Sequence, residues 1–160
     1  MSRRRSVTLI GLLAALFAVT ACSEDEKRSL DADSHAALQS HVDAVVSTAT
    51  DDFNYLVGCA RMSERDRSAC AKGQRSVQED TDPGFDPLDV NEATPCGEAL
   101  AALGDTDLAV FGGLRELWQA LAFDGSPVSI SAGIQDASSA IQRYFRAGDR
   151  AVQACRPTDS

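Results

Sequence analysis

Two stretches of this chain carry apolar residues at spacings of three and four, and these spacings constrain its fold more than any other feature. Such spacing places the apolar side chains on one face of an α-helix. In the first stretch they are Leu38, Val42, Val45, Ala49, Phe53, Leu56 and Ala60. In the last stretch they are Ile130, Ile134, Ala137, Ile141, Phe145, Gly148, Val152 and Cys155. The sequence therefore predicts two long helices, and Pro157 ends the second of them.

A weaker helix is predicted directly after the first, from about Glu64 to Glu79. Ser63 suits its N-cap position. Its apolar side is poor, and Gly73 interrupts it, which lowers its helix propensity. A turn before Ser63 would bring Cys59 and Cys70 close enough to bond, whereas an uninterrupted helix would hold them about 16 Å apart.

A third predicted helix has the bulkiest apolar face; it begins at Thr94-Pro95 and is interrupted near Gly104-Asp105. Its apolar residues are Leu108, Phe111, Leu114, Leu117, Trp118 and Leu121. Asp124-Gly125 ends this helix, and Ser126-Pro127 begins the last one. No alternation at period two indicates a strand. The fold class is therefore predicted to be all-α, an antiparallel bundle of about four helices with disulfides.

The first residues of the chain form a signal segment. Arg3, Arg4 and Arg5 precede an apolar run from Val7 to Val19, which is shorter than the roughly 20 residues that a membrane-spanning helix needs. The run closes in Val19-Thr20-Ala21-Cys22. A segment of this kind guides export and is then removed, so we expect the folded part to lie outside the cytoplasm.

This closing tetrapeptide resembles the lipobox of bacterial lipoproteins, in which a branched aliphatic residue and two small residues precede an invariant cysteine. The resemblance implies that residues 1–21 are a signal peptide and that Cys22 becomes the lipidated N-terminus, anchored to the cell membrane through acyl chains such as palmitate. Residues 22–29 would then be the lipidated cysteine and a tether, and residues 30–160 a helical domain. The alternative interpretation is an ordinary secretory signal cleaved after Ala21.

The chain has five cysteines, an odd number that requires explanation in an exported protein. Lipidation of Cys22 leaves four, which we expect to form two disulfides in one of three connectivities. In an up-down bundle the third helix begins where the fourth ends. We therefore predict that Cys96 pairs with Cys155 at one end, and that Cys59 pairs with Cys70 across the turn at the other.

The chain carries 24 acidic and 15 basic residues. Loss of the three signal arginines would leave 12 basic residues and a net charge of −12 in the mature chain. Phosphate binding depends on basic residues, and so acidic a surface repels polyanions, which argues against a nucleic-acid partner. The length from Cys22 to Ser160 suits one domain.

Residues 80–95 form a predicted loop that, together with the residue before it, holds six carboxylates and no basic residue. The six are Glu79, Asp80, Asp82, Asp86, Asp89 and Glu92. Hard cations such as calcium favour such clusters. The spacing fails the EF-hand pattern, because Gly84, Phe85 and Asn91 stand where ligands or the required glycine belong. We interpret the loop as a solvated segment pinned by Phe85 and Leu88, with a weak cation site as the alternative.

Two further groups of charged or titratable residues lie on the long helices. His35 and His41 are six residues apart, about 120° around the helix axis, so the helix does not aim both at one metal. On the last helix, Arg143, Arg146 and Arg150 form a basic stripe. One interpretation of this stripe is contact with anionic lipid or an acidic partner. The other is that it stabilises the helix C-terminus and pairs with acidic neighbours.

No motif indicates catalysis or a cofactor, since the chain lacks a nucleophile–base motif, a set of metal ligands and a phosphate loop. We therefore predict no enzyme, but a lipid-anchored envelope protein that binds a protein partner or serves as an accessory factor. The alternative is an extracytoplasmic binder of a small ligand or a cation. An exposed apolar patch would favour the first function, and a pocket with convergent polar groups would favour the second.

Overall fold

The structure, a computed structural model, describes residues 29–74, 77 and 90–157. These residues form four α-helices, α1 (Ala32–Ala60), α2 (Glu64–Lys72), α3 (Pro95–Gln119) and α4 (Pro127–Ala154). A π-helical turn, Ala120–Asp124, continues the end of α3. The described region contains no strand and its helices pack together, so the predicted all-α bundle is confirmed. None of these helices is both long enough and apolar enough to cross a membrane.

Each helix begins at a side chain that accepts a hydrogen bond from a backbone N–H three residues later. The four capping residues are Asp31, Ser63, Thr94 and Ser126. Each cap satisfies one of the N–H groups that the first helical turn leaves unpaired. Proline follows the cap in α3 and α4, where its fixed φ suits the first turn. The predicted starts of α2, α3 and α4 are therefore confirmed.

α4 runs antiparallel to both α1 and α3. At its C-terminus the carbonyl oxygen of Cys155 accepts a hydrogen bond from the N–H of Leu30, just before α1 (3.4 Å). A disulfide joins Cys155 to Cys96 in the first turn of α3, with their Cα atoms 4.6 Å apart. α2 turns back along the end of α1, where a second disulfide joins Cys59 to Cys70. Both predicted pairings are confirmed, and they define the Cys96–Cys155 end and the Cys59–Cys70 end of the bundle.

α2 is shorter than its sequence pattern predicts. It ends at Lys72 rather than near Glu79, and Gly73 is its C-cap. Ala71 is its one buried residue, so little apolar burial is available to extend the helix past a glycine.

The predicted interruption at Gly104-Asp105 is wrong, because α3 is continuous from Pro95 to Gln119. A glycine inside a helix costs about 1 kcal/mol relative to alanine. Leu103 and Val110, on either side of this glycine, are both buried, and each such burial contributes about 1.5–3 kcal/mol. Packing therefore outweighs the low helix propensity at this position.

Small residues allow α4 to pack closely against α3. The buried residues of α4 are Ile130, Gly133, Ala137, Ala140, Tyr144, Ala147, Gly148 and Ala151. A Cβ atom at Gly133 would lie 2.9 Å from the Cα of Leu117, and one at Gly113 would lie 3.1 Å from the Cα of Ala137. A larger side chain at either glycine would therefore force the two helices apart.

Two residues that the sequence pattern assigned to the core are instead exposed, Leu108 to 73% and Phe145 to 50%. In α3 most of the predicted face is buried, including Leu114, Leu117 and Leu121, and Leu108 lies outside it. In α4 the close approach of the neighbouring helices buries the face of small residues around Tyr144, which leaves Phe145 at the edge.

Candidate interaction surfaces

The structure does not describe all of the predicted site residues. Cys22, the predicted lipidation site, lies outside the described residues, as do the carboxylates of Glu79, Asp80, Asp82, Asp86 and Asp89. Glu92, the last carboxylate of the predicted acidic loop, is exposed. The four remaining cysteines are brought together in pairs, one at each end of the bundle.

His35 has a contact that fixes its position between two helices. Its Nε2 lies 2.8 Å from the carbonyl oxygen of Val152, to which it donates a hydrogen bond that joins the start of α1 to the end of α4. In the described part of the chain, no group of three or more His, Cys, Asp or Glu side chains is arranged to hold a metal ion.

Three hydrogen bonds fix α2 at the Cys59–Cys70 end. The Tyr55 hydroxyl donates to the carbonyl oxygen of Cys70 (3.1 Å) and the Trp118 indole N–H to that of Ala71 (2.9 Å). The Ser68 hydroxyl donates to the carbonyl oxygen of Ala122 (2.7 Å) in the π-helical turn. Together with the disulfide, these bonds hold a helix that buries little apolar surface of its own.

The π-helical turn closes α3 and brings Phe123 to the surface. Gly125 follows the turn with a φ of 66°, which favours glycine, and its N–H donates to the carbonyl oxygen of Ala120 (2.8 Å). The Phe123 ring packs edge-on against Trp118, with centroids 5.4 Å apart. The ammonium of Lys72 lies 5.0 Å from the centroid of the Phe123 ring, on its face, at cation–π distance. These contacts hold in place an aromatic side chain that remains 69% exposed.

Exposed apolar side chains concentrate at the Cys59–Cys70 end. Six large apolar residues of the described region are exposed, and four of them lie here: Tyr55 (41%), Met62 (46%), Phe123 (69%) and Val128 (78%). We call these four the apolar end surface. Their location at one end of the bundle favours a protein-interaction site at that end.

A groove of about 430 Å³ lies beside this surface, between the end of α1 and the start of α4. Its lining residues are Val57, Ala60, Arg61, Arg67, Pro127, Ile130, Ser131 and Ile134. Arg67 is held by a hydrogen bond from its Nη1 to the carbonyl oxygen of Gly125 (3.2 Å). Apolar walls with two guanidinium groups suit a ligand that combines an anionic group with an apolar body.

A second groove, of about 590 Å³, lies between the π-helical turn and α4. Glu116, Asp124 and Asp136 are among its lining residues, and Phe123 forms part of its wall. The two grooves flank the start of α4 and carry charges of opposite sign. A partner that covers this end would therefore meet basic groups on one side and acidic groups on the other.

Arg143, Arg146 and Arg150 are all exposed, on a face of α4 about 120° around the helix axis from its buried residues. The Nε of Arg146 donates to the carbonyl oxygen of Gln142, one turn earlier in the same helix (3.2 Å). The stripe lies in the half of α4 that ends at Cys155. It is therefore near the point where the chain enters the bundle at Leu30.

Sequence reasoning missed Arg67, Ser68 and the π-helical turn. It did locate the end of α3 at Asp124-Gly125, and that boundary is confirmed. The π-helical turn contains Ala122, whose carbonyl oxygen accepts the hydrogen bond from Ser68. No sequence pattern distinguishes such a turn from an ordinary α-helical turn. The two grooves depend on how far apart the helices lie, which apolar periodicity does not specify.

Comparison with protein-family models, with curated proteins and with solved structures found no match to this chain. Its function is therefore inferred from its own residues and geometry.

Proposed function

We propose that this chain is an exported cell-envelope protein, anchored to the membrane by lipid on Cys22, that acts as a non-enzymatic interaction or accessory factor. The observation that carries the proposal is the use of the cysteines. Cys59, Cys70, Cys96 and Cys155 are consumed in two disulfides, and of the five cysteines this leaves Cys22, which ends the lipobox-like tetrapeptide. Disulfides are typical of oxidising compartments, which supports export.

The lipid would supply enough free energy for a stable anchor. Each buried methylene contributes about 0.8 kcal/mol, so a diacylated cysteine binds far more firmly than a single acyl chain does. The signal segment is removed in this proposal, and no described helix is suited to cross the bilayer. The acyl chains on Cys22 would then form the membrane attachment.

The position of the apolar end surface supports partner binding. The tether precedes Leu30 at the Cys96–Cys155 end, whereas the apolar end surface lies at the other end of α1. A helix of 29 residues is about 43 Å long, so the two features are separated by most of the length of the bundle. A partner therefore has access to the apolar end surface while the lipid holds the opposite end.

Crosslinking in native membranes, followed by mass spectrometry, tests this function. We expect crosslinks from residues around the apolar end surface to one recurrent partner, and we expect Met62→Ser with Phe123→Ser to reduce them. Leu108→Ser is the matched control, because Leu108 is also exposed but lies on the middle of α3. Equal crosslinking in both variants and in the unmodified protein would contradict partner binding at this end.

A second candidate function is the binding of a small ligand in the groove between α1 and α4. The two arginines and the apolar walls favour a fatty-acid-like carboxylate over a cation. At about 30 Å³ per heavy atom, the size of one water, the groove holds on the order of 14 such atoms. Calorimetry with dodecanoate is the test: saturable binding that Arg61→Gln weakens and Arg65→Gln does not would support it.

A cation ligand stays the alternative, since most of the acidic loop lies outside the described residues. Calcium titrated at physiological ionic strength distinguishes the two ligand classes. Diffuse, salt-screened attraction is expected from a solvated loop, whereas a saturable single-site isotherm would favour cation binding.

A further inference from the structure

We propose that Arg143, Arg146 and Arg150 on α4 contact the anionic headgroups of the membrane to which the chain is anchored. The inference rests on the proposed lipid anchor at Cys22, and it adds an orientation of the folded domain at the bilayer. The three arginines are exposed and follow one another at spacings of three and four, so their guanidinium groups lie along one outward face.

This face is basic although the chain is acidic. Between and beside the arginines it carries neutral residues, Ser139, Gln142 and Gln153, all partly or fully exposed. The nearest carboxylates on α4, Asp136 and Asp149, lie at its flanks. A mature chain with a net charge of −12 would be repelled by an anionic surface in most orientations. The basic face is the one that such a surface attracts.

Stabilisation of the helix C-terminus does not account for the stripe. The field of a helix terminus falls off within the last turn. Arg143 lies 11 residues before Ala154, about 16 Å along the axis, so the terminus does not act on it. In the part of the chain that the structure describes, neither Arg143 nor Arg150 forms a hydrogen bond or an ion pair. No described group therefore neutralises either guanidinium.

The tether decides which anionic surface is within reach. Residues 23–29 are seven residues, so this segment can span no more than about 25 Å. They lead to Leu30, whose N–H is bonded to Cys155 at the end of α4. A short tether holds the arginine face at a high effective concentration near the headgroups, so a weak attraction suffices to orient the domain. A bilayer phosphate is therefore a better match than an acidic protein that must first diffuse to this face.

The location of the stripe also leaves the apolar end surface accessible. The arginines occupy the C-terminal half of α4, whereas Met62, Phe123 and Val128 lie at the Cys59–Cys70 end. Contact through the arginines would bring the tethered half of α4 to the membrane. Val128 lies about 22 Å further along the same helix, so the end proposed to bind a partner is outside that contact.

Arginine labelling with phenylglyoxal, read by mass spectrometry, tests this orientation. The native chain, with its own acyl anchor, is reconstituted in vesicles of phosphatidylcholine alone, or of phosphatidylcholine and phosphatidylglycerol in equal parts. On the anionic vesicles we expect Arg143, Arg146 and Arg150 to react more slowly, by at least the roughly fivefold factor that one basic residue near an anionic surface contributes. High salt should remove this protection. Arg65, which is exposed at the other end and does not line the groove, is the internal control and should react equally on both vesicles.

Charge variants identify which arginines are responsible. With Arg143→Gln and Arg150→Gln combined, Arg146 should lose most of its protection on anionic vesicles. Arg65→Glu makes the same change in net charge and should leave Arg146 protected. Equal labelling of the stripe on both vesicles, or equal protection of Arg65, would overturn the inference while the anchor stands. A native chain without acyl chains on Cys22 would overturn the anchor, and the inference with it.

Discussion

Gly148 on α4 lies so close to Val42 on α1 that a Cβ atom at position 148 would lie 2.5 Å from Cγ1 of the valine. We therefore expect Gly148→Ala to destabilise the bundle. Overpacking costs about 1–3 kcal/mol, and the higher helix propensity of alanine offsets about 1 kcal/mol of it. Denaturant unfolding should show a lower free energy of unfolding for this variant.

Gly104 and Gly112 provide matched controls for that substitution. Both lie within α3, and no atom beyond their own helical surroundings lies within 4 Å of a Cβ built there. Alanine at either position should stabilise the protein by about 0.5–1 kcal/mol. Val42→Ala should relieve the clash, so the double variant with Gly148→Ala should be more stable than the sum of the single changes implies. Strict additivity would show that the contact is not tight.

The same glycine shows why the sequence predicted the helices better than their buried faces. Spacings of three and four located α1 and α4, because apolar periodicity depends only on the helix itself. Which of two adjacent stripes is buried depends on how closely a neighbour approaches, and Gly133 and Gly148 permit that approach without adding apolar bulk. The pattern therefore assigned Phe145 to the core, where the structure buries Tyr144.

The disulfides were predictable for a different reason. Their pairing follows from the order and direction of the helices, which the sequence pattern did specify. The groove between α1 and α4 was not predictable in this way. The groove is lined by Arg67 from α2 together with Ile130 and Ile134 from α4. These residues line one groove only because of the distance between the two helices, which the sequence pattern does not specify.

The two disulfides should contribute unequally to stability. Cys96 and Cys155 are 59 residues apart in sequence, against 11 for Cys59 and Cys70. The chain-entropy model assigns about 4 kcal/mol to the longer loop and somewhat under 3 kcal/mol to the shorter one. Replacing Cys96 and Cys155 by alanine should therefore lower the unfolding free energy more than replacing Cys59 and Cys70. The reverse order in denaturant unfolding would contradict this assignment.

Hydrogen bonds to α2 should control its local stability. Trp118→Phe removes the donor to Ala71, and Ser68→Ala removes the donor to Ala122, each a loss of about 1 kcal/mol. Because α2 buries little apolar surface, we expect faster hydrogen exchange in residues 64–72 of either variant. The amides of α4 should be unaffected, and acceleration throughout the bundle would show that these bonds support the whole fold instead.

Asp31, the N-cap of α1, should make the free energy of unfolding depend slightly on pH in the acidic range. The backbone N–H of Ser34 donates to the carboxylate of Asp31 (2.7 Å), and this bond, with the Ser34 hydroxyl, lowers the pKa of Asp31 below its ordinary value of 3.8. The ionised cap therefore stabilises the protein fully above about pH 3.8, the ordinary pKa of the carboxyl. This contribution is lost as the pH falls through the lowered pKa of the folded state. Titration of Asp31 by NMR checks the direction, and Ser34→Ala should raise its pKa partway towards 3.8. A pKa at or above 3.8 in the unmodified protein would contradict the cap geometry.

Membrane attachment should depend on one sulfur atom. Cys22→Ser should release the protein from membranes, while Val-Thr-Ala still suits an ordinary signal cleavage. Cell fractionation measures the change. Ser23→Ala, beside the site, is the control and should remain in the membrane fraction.

Intact-mass analysis of the protein purified from its native membrane, without reduction, tests the lipid anchor most directly. We expect a chain that begins at Cys22, carries acyl groups on that residue and has no free thiol, because the other four cysteines are paired. A chain that begins at Cys22 with an unmodified thiol would contradict it.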